Sequence, residues 1–191
     1  MSEFDKSAFY REIRGKLFGP TLDDAEVKGC EAVLDALVGL PLAHAAYCLA
    51  TAYHETNGTM LPVKEAYWVP NAEQWRKTHL RYWPYYGRGY PQLTWEDNYR
   101  KADKELGLGG KLVANPDLAM EPSIAAQIMR RGMVEGWFTR KKLSTYLPAA
   151  GPASIVQFEK ARPIINATDR AHLVATYAVI FQGALQAGSW A

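Results

Sequence analysis

The stretch LAHAAYCLATAY, residues 42–53, indicates the buried centre of the fold, and HETNG, residues 54–58, follows it directly. Only His44 and Thr51 are polar within the first stretch, so we predict a helix that is apolar on all sides and lies inside a domain. Gly58 suits the chain just after the end of such a helix. The rest of the sequence can therefore be arranged around one buried helix.

Glu55 stands where this central helix is expected to stop. A carboxylate at a helix C-terminus meets the negative end of the helix dipole. Apolar neighbours also disfavour the charged form, so we expect a raised pKa for Glu55. A carboxyl group that keeps its proton is what a general acid requires. A surface glutamate in an ordinary salt bridge after a core helix is the alternative, and position alone does not choose between the two.

Amphipathic patterns on both sides of the central helix predict further helices, and strand signals are few, so the fold class is mainly α. Cys30 and Cys48 fall on different predicted helices and are expected to be buried free thiols. The other helices are predicted at 5–17, 73–80, 94–106, 121–138 and 154–161, with one more that starts near Thr21 and a last one that follows Asp169. The expected caps are Asp5 for the first helix, Thr21 with Asp24 for the second, Thr94 with Asp97 for 94–106, and Asp169 for the last.

Residues 56–84 interrupt the helical periodicity with three prolines and three tryptophans, and we call this segment the flap. A long irregular connection of this kind is usually functional or disordered, and its aromatic content argues for order. The flap carries a second carboxylate, Glu65, next to Lys64. Two carboxylates in different environments are the minimum for glycosidic cleavage. Glu65 is expected to stay ionised and to act as the base, although a solvated loop glutamate paired with Lys64 would look the same.

Three blocks of sequence follow one another along the chain: AYHET at 52–56, YYGRGYPQLTW at 85–95 with Asn98 and Tyr99 after it, and IINATDR at 164–170. In this order they resemble the glycoside hydrolase family 19 chitinase-like enzymes, and more closely their phage and prophage endolysin branch. The resemblance covers nearly all of the chain from about Phe9. It implies a lysozyme-like, two-lobed catalytic domain spanning residues 1–191, with no separate wall-binding module.

The resemblance also implies roles for individual residues. Glu55 matches the proton donor, Glu65 the second acidic residue of the endolysin branch, and Thr94 the residue that holds the attacking water. The residues expected to contact the substrate are His54, Tyr86, Arg88, Gln92, Asn98 and Asn166. The family inverts the anomeric carbon, which requires carboxyl groups roughly 6.5–9.5 Å apart.

Some of these roles have alternatives. The family usually has Asn-Tyr-Asn-Tyr where this chain reads EDNY at 96–99, so Asp97 replaces an aromatic residue and is a rival to Glu65 as the base. Arg88 could instead bond carbonyls or a carboxylate within the glycine-rich turn. His54 could orient its loop without touching a sugar.

Composition and charge narrow the range of partners. Lys and Arg exceed Asp and Glu by 22 to 20 without a basic stripe, which gives no case for nucleic acid. The N-terminal MSEFDK lacks a basic segment followed by an apolar run, so no signal peptide is predicted. The longest apolar helix falls short of the roughly 20 residues that span a bilayer, so membrane insertion is not expected. Neither the histidines nor the cysteines have metal-ligand spacing, and the resemblance implies no metal or cofactor.

We therefore predict a monomeric endolysin that cleaves β-1,4 bonds in the glycan strands of peptidoglycan. It is expected to wait in the host cytoplasm before lysis and to act on the wall from the periplasm. A chitinase, with the same chemistry on a polymer without peptide stems, ranks second because the chain lacks the chitin-binding module and many cysteines of plant enzymes. A catalytically silent wall-binding module is a third alternative. The joint presence of Glu55, Glu65, Gln92 and Thr94 argues against that alternative.

Overall fold

The computed structural model describes residues 4–190, which form a mainly α-helical fold, as predicted. The α-helices are α1 (Lys6–Ile13), α2 (Asp24–Leu37), α3 (Leu42–Glu55), α4 (Ala72–His79), α5 (Glu96–Glu105), α6 (Lys111–Ala114), α7 (Pro122–Glu135), α8 (Leu143–Tyr146), α9 (Ile155–Ala161) and α10 (Ala171–Ala187). Short 3-10 helices cover Pro116–Met120 and Arg162–Ile164. Two short strands, β1 (Val63–Lys64) and β2 (Arg88–Gly89), pair antiparallel. Within residues 4–190, no helix combines the length and apolarity needed to cross a membrane.

The central helix α3 is buried along almost its whole length. Every side chain from Ala43 to Ala52 is at most 7% exposed, and α10 packs along the helix. This confirms the apolar helix expected from the sequence. The Thr56 hydroxyl closes its end by donating to the Ala52 carbonyl at 2.8 Å and accepting from the Met60 amide at 3.0 Å. The helix therefore ends at Glu55, and the Glu55 carboxyl lies at its last turn.

Two apolar cores divide the fold into two lobes. The larger core surrounds α3 and includes buried faces of α1, α2, α9 and α10. The smaller core consists of Leu93, Tyr99, Ala102, Leu112, Ala119 and Ile128. Helix α7 belongs to both cores, because Met129 and Met133 face the larger one while Ile128 faces the smaller one. The two-lobed architecture implied by the resemblance is therefore confirmed.

The first two helices begin and end at positions partly different from those predicted. Asp5 caps α1 as expected, accepting from the Ala8 amide at 3.0 Å, but the helix ends at Ile13, before a tight turn at Gly15. The expected capping box at Thr21 and Asp24 is wrong. Asp23 and Glu26 form the box that opens α2, each side chain accepting from the other's backbone amide.

Two helices near the predicted site begin without the side-chain caps expected from the sequence. Trp95, with φ 75°, precedes α5, and Arg170, with φ 52°, precedes α10. Neither side chain accepts a capping hydrogen bond, so the predicted caps at Thr94 and Asp169 are wrong. A bulky residue in the left-handed region is uncommon and is held there by its surroundings. Both positions adjoin residues implicated in the site.

Both cysteines are buried free thiols, as predicted. Cys48 lies against Met133, with the two sulfur atoms 3.7 Å apart. Burial raises the pKa of Cys30 and that of Cys48 to about 12. Thiolate chemistry is therefore unfavourable at either position, and both side chains serve as core residues.

The flap is ordered by polar contacts and includes α4, the short helix predicted at 73–80. Arg76, which is 4% exposed, connects this helix to the strand pair. Its Nε donates to the Glu65 carbonyl at 2.6 Å, and its Nη1 donates to the Glu73 carboxylate at 2.8 Å. The same guanidinium lies over the Tyr86 ring, 4.8 Å from its centroid. The flap is thereby attached to the glycine-rich turn through one buried cation.

Candidate active site

Glu55 forms an ion pair with Arg162, a residue that the sequence analysis did not identify. Arg162 Nη1 donates to Glu55 Oε1 at 2.9 Å, and the side chains are 1% and 20% exposed respectively. The Nε of the same guanidinium donates to the Asp169 carbonyl at 2.9 Å. Glu55 therefore meets a buried cation, in addition to the apolar neighbours and helix end on which the sequence argument was based.

The ion pair orients the Glu55 carboxyl group. Only Oε1 is engaged by Arg162, and within residues 4–190 no side chain or amide donates a hydrogen bond to Oε2. Because Glu55 is the last residue of α3 and its side chain is partly exposed, Oε2 is the atom that can meet a substrate. The structure thus provides an oriented carboxyl with one oxygen held and the other available.

Asn166 and His54 each adjoin one member of this ion pair. Asn166 is exposed, and its backbone N–H donates to the Arg162 carbonyl at 3.1 Å, which places it in the loop that supports the arginine. His54 directly precedes Glu55. His54 lines a small pocket with Arg170 and Tyr177. Burial lowers the pKa of His54, while the neighbouring charge of Glu55 opposes that shift. Since desolvation is the larger effect, the imidazole is neutral at neutral pH.

Glu65 is held at four points, which gives it a fixed orientation. Its Oε1 accepts from the Tyr82 hydroxyl at 2.7 Å, and its Oε2 accepts from the Gly87 amide at 2.9 Å. Its own amide donates to the Gly87 carbonyl at 2.7 Å, and its carbonyl accepts from Arg76. Burial, followed by the hydrogen bond to Glu65, raises the pKa of Tyr82 to about 12, so the phenol remains a donor. One donor on each carboxylate oxygen therefore leaves the Glu65 side chain with a defined direction.

Gly87 allows Glu65 and Gln92 to lie next to each other. A Cβ atom at position 87 would come within 2.7 Å of Gln92 Oε1 and 3.2 Å of Glu65 Oε2. Gln92 adopts φ 53°, and its Nε2 donates to the Val63 carbonyl at 3.0 Å and the Gly89 carbonyl at 3.3 Å. The Gln92 amide nitrogen therefore joins β1 to β2, while its amide oxygen lies beside the second carboxylate.

Thr94 and Asn98 continue the same surface. The Thr94 hydroxyl donates to the Gln92 carbonyl at 2.8 Å, and Asn98 Nδ2 donates to the Thr94 carbonyl at 2.7 Å. Both side chains are half-buried. The Thr94 oxygen retains lone pairs that can accept a hydrogen from water, which is compatible with the role implied for it. Gln92, Thr94 and Asn98 thus form one hydrogen-bonded chain, and Gly87 brings Gln92 next to Glu65.

Tyr86 and Arg88, which were expected to contact sugar, lie beneath the surface instead. Tyr86 is 0% exposed and Arg88 is 4% exposed. Arg88 Nε donates to Asp117 at 2.7 Å, its Nη1 donates to the Tyr99 hydroxyl at 3.0 Å, and its guanidinium lies 3.5 Å from the Tyr86 ring centroid. Both side chains therefore support the glycine-rich turn from beneath instead of making the expected direct contacts. This is the alternative raised for Arg88.

The surroundings of the two candidate bases differ. Asp97 is exposed in the first turn of α5, whereas Glu65 is fixed by donors on both carboxylate oxygens. Lys64, the partner of Glu65 in the alternative interpretation, instead binds the Asp117 carboxylate at 2.7 Å. A base that is held by neutral donors has a defined direction toward its water, and this favours Glu65.

Two supporting residues were missed by the sequence analysis. A signal for Arg162 was present, because its flanking residues Ala161, Pro163 and Ile164 are apolar, and a cation in such surroundings needs a partner. Tyr82 had no distinguishing signal among the other aromatic residues of the flap. Within residues 4–190, no group of three His, Cys, Asp or Glu side chains is placed to hold a metal ion.

Comparison with solved structures places this architecture among known folds. Chitinase C from Streptomyces griseus superposes with a TM-score of 0.57 over 96% of this chain and 76% of its own, at 21% identity. A bacterial family 19 chitinase superposes with a TM-score of 0.51 over 96% of this chain and 94% of its own, at 19% identity. The fold is that of the family 19 chitinases. The lysozyme-like fold expected from the three sequence blocks is therefore confirmed.

Sequence comparison finds a short stretch that is similar to two plant chitinases. A 42-residue stretch is 52% identical to an acidic 26 kDa endochitinase of Solanum lycopersicum, and equally to acidic endochitinase pcht28 of Solanum chilense. This stretch covers 22% of the chain but only 17% of the length of either plant enzyme. No family model matches the sequence.

Tyr82→Phe is expected to lower kcat by about tenfold, the effect of removing one hydrogen bond to a charged group. Without the phenol donor, the Glu65 carboxylate loses one of the two side-chain contacts that fix its direction, so the loss should appear in kcat with little change in KM. Initial rates of reducing-end release over a range of substrate concentrations measure both constants. Tyr85→Phe is the matched control, since the Tyr85 hydroxyl donates to the Val113 carbonyl. An unchanged kcat in Tyr82→Phe would show that the phenol does not position the base.

Proposed function

We propose that the protein hydrolyses β-1,4 glycosidic bonds of peptidoglycan with inversion, using Glu55 as general acid and Glu65 as general base. The observation that carries this proposal is the contrast between the two carboxyl groups. One is oriented by a buried arginine and has an available oxygen, whereas the other accepts neutral donors on both oxygens. Two carboxyl groups with different environments suit the separate acid and base of an inverting glycosidase.

The geometry suggests how Glu55 would deliver a proton. In the protonated acid, Oε1 continues to accept from Arg162 while Oε2 carries the hydrogen toward the leaving glycosidic oxygen. As the proton departs, negative charge develops on the carboxylate next to the guanidinium. Arg162 therefore stabilises the transition state more than the ground state, and this is the kind of interaction that raises kcat.

Glu65 would complete the reaction by accepting a proton from water. The water oxygen attacks the anomeric carbon, the bond to the leaving oxygen breaks, and the leaving oxygen takes the Glu55 proton. The Tyr82 and Gly87 donors hold Glu65 in place, and each carboxylate oxygen still has a lone pair for the water. Thr94, whose hydroxyl donates to the Gln92 carbonyl, would accept a hydrogen from that water.

The choice of bacterial wall glycan is supported by the three sequence blocks, which resemble the endolysin branch of the family. On this proposal the protein is a phage or prophage lysin that acts as a monomer on glycan strands in the periplasm once the host membrane has been opened. Chitin is the second candidate, because the solved structures and the plant sequences similar to this chain are chitinases.

Digestion of purified peptidoglycan and of a chitin hexamer in parallel tests the proposed substrate. We expect soluble muropeptides from peptidoglycan, with a new reducing end that mass spectrometry assigns to one of the two wall sugars. We also expect the initial product to have the inverted anomeric configuration by NMR. Glu55→Gln is the negative control. Release of products from chitin but not from peptidoglycan would favour the second candidate, and release from neither would contradict both.

A further inference from the structure

A small pocket lies beside the ion pair of Glu55 and Arg162, and none of its lining residues belongs to that pair. Its wall is formed by Tyr53, His54, Asn57, Gly58, Arg170, Leu173 and Tyr177, around a volume of about 140 Å³. Sites for whole small molecules occupy roughly 300–1,000 Å³. The pocket is therefore sized for one substituent of a larger substrate rather than for a sugar ring.

The pocket is connected to the candidate acid from two directions. His54 immediately precedes Glu55 at the end of α3. Arg170 immediately follows Asp169, whose carbonyl accepts from the guanidinium that holds Glu55. The charges of Glu55, Arg162, Arg170 and Asp169 all act on the titration of His54, which shows how close together these groups lie. A substituent in the pocket would thus sit next to the group that donates the proton.

The pocket presents hydrogen-bond donors and one positive charge. Arg170 is exposed, and within residues 4–190 its guanidinium forms no salt bridge or hydrogen bond with a protein side chain. Its acidic neighbour Asp169 is exposed and does not line the pocket. The neutral His54 ring and the side-chain amide of Asn57 add N–H donors to the lining of the same pocket. A guanidinium together with N–H donors is a combination that recognises a carboxylate.

We infer that this pocket binds a carboxylate carried by the muramic acid unit of the wall glycan and that Arg170 is the residue that selects substrates bearing it. This inference rests on the proposed function and extends it to substrate choice. The carboxylate has two sources in peptidoglycan: the lactyl group of the sugar once the peptide is removed, and the free carboxylates of the peptide stem itself. Chitin carries neither, so the pocket would separate the two candidate substrates.

Steady-state kinetics on three substrates test this assignment. The substrates are intact peptidoglycan strands, strands stripped of their peptides by an amidase, and chitin oligomers of similar length. Arg170→Asn removes the charge while suiting the left-handed backbone of Arg170, because Asn tolerates positive φ. We expect KM for the carboxylate-bearing strands to rise about fivefold relative to KM for chitin oligomers, as for the loss of one exposed charge pair.

Two further variants control for backbone and charge. Arg170→Lys keeps a cation and should recover most of the preference. Arg140→Asn changes another exposed arginine with left-handed φ, outside the pocket, and should not reproduce the shift. In Arg170→Asn, a rise in KM with stripped strands identifies the lactyl carboxylate, and a rise in KM only with intact strands identifies the peptide stem. Equal rises in KM for all three substrates, or identical behaviour of Arg170→Lys and Arg170→Asn, would overturn the inference. Failure of the unmodified protein to cleave any wall strand would instead refute the proposed function.

Discussion

Glu55→Gln is expected to reduce kcat on polymeric substrate by roughly a thousandfold, within the range supplied by general acid catalysis. Glutamine has the shape of the protonated acid, and its amide oxygen can still accept from Arg162, so the end of α3 should remain folded. What the amide lacks is an acidic hydrogen for the leaving oxygen. Initial rates of reducing-end release, together with a thermal melt to verify folding, measure the effect.

A change of leaving group makes this experiment more specific. In a nitrophenyl glycoside the nitrophenolate leaves without needing a proton. The loss of kcat in Glu55→Gln should therefore be far smaller on that substrate than on the polymer. Glu12→Gln, which alters an exposed glutamate paired with Lys16, is the matched control. Wild-type rates from Glu55→Gln on the polymer would show that the acid has been assigned to the wrong residue.

Arg162→Met is expected to lower the free energy of unfolding by about 2–3 kcal/mol, because one member of a buried ion pair is removed while the other remains. This loss of unfolding free energy is smaller than for a fully buried pair, because the Glu55 side chain is 20% exposed and its charge is partly screened by solvent. The Asp169 carbonyl also loses its donor. Urea denaturation with a shared m-value gives the measurement.

A double-mutant cycle separates the ion pair from general loss of packing. In the Glu55→Gln background the neutral amide needs no counter-charge, so Arg162→Met should cost less there than in the wild type. Arg100→Met, which removes an exposed arginine paired with Glu96 on α5, should leave the unfolding free energy close to that of the wild type. Equal costs of Arg162→Met in both backgrounds would argue against a stabilising contact with Glu55.

The helices and the candidate acid were predictable because their signals are local. An apolar run of residues gives α3, and a glutamate that follows it directly must lie at its end. The partner of Glu55 was not predictable in the same way, because Arg162 lies 107 residues further along the chain. Spacing rules describe neighbours on one helix or strand and contain no information about such a distant pair.

Backbone conformation and burial explain the other differences. The starts of α5 and α10 were assigned to Thr94 and Asp169, since these residue types usually cap helices. Tertiary contacts instead place Trp95 and Arg170 there with positive φ, which residue type does not predict. Tyr86 lies inside a highly specific sequence block and is nevertheless fully buried. A recurring motif can thus preserve the shape of a turn as well as the groups that touch a ligand.

Helix α7 contributes to both apolar cores, and this has a consequence for how the molecule would respond to change. Glu55 is supported by the larger core, and the turn that holds Glu65 is supported by the smaller one. Because the residues that face the two cores are neighbours on this one helix, a change in its packing would move the two supports relative to each other. Enlarging or trimming Ile128 or Met129 should therefore lower kcat through altered placement of the two carboxyl groups while both lobes remain folded, and kcat should respond to smaller substitutions than the melting temperature does.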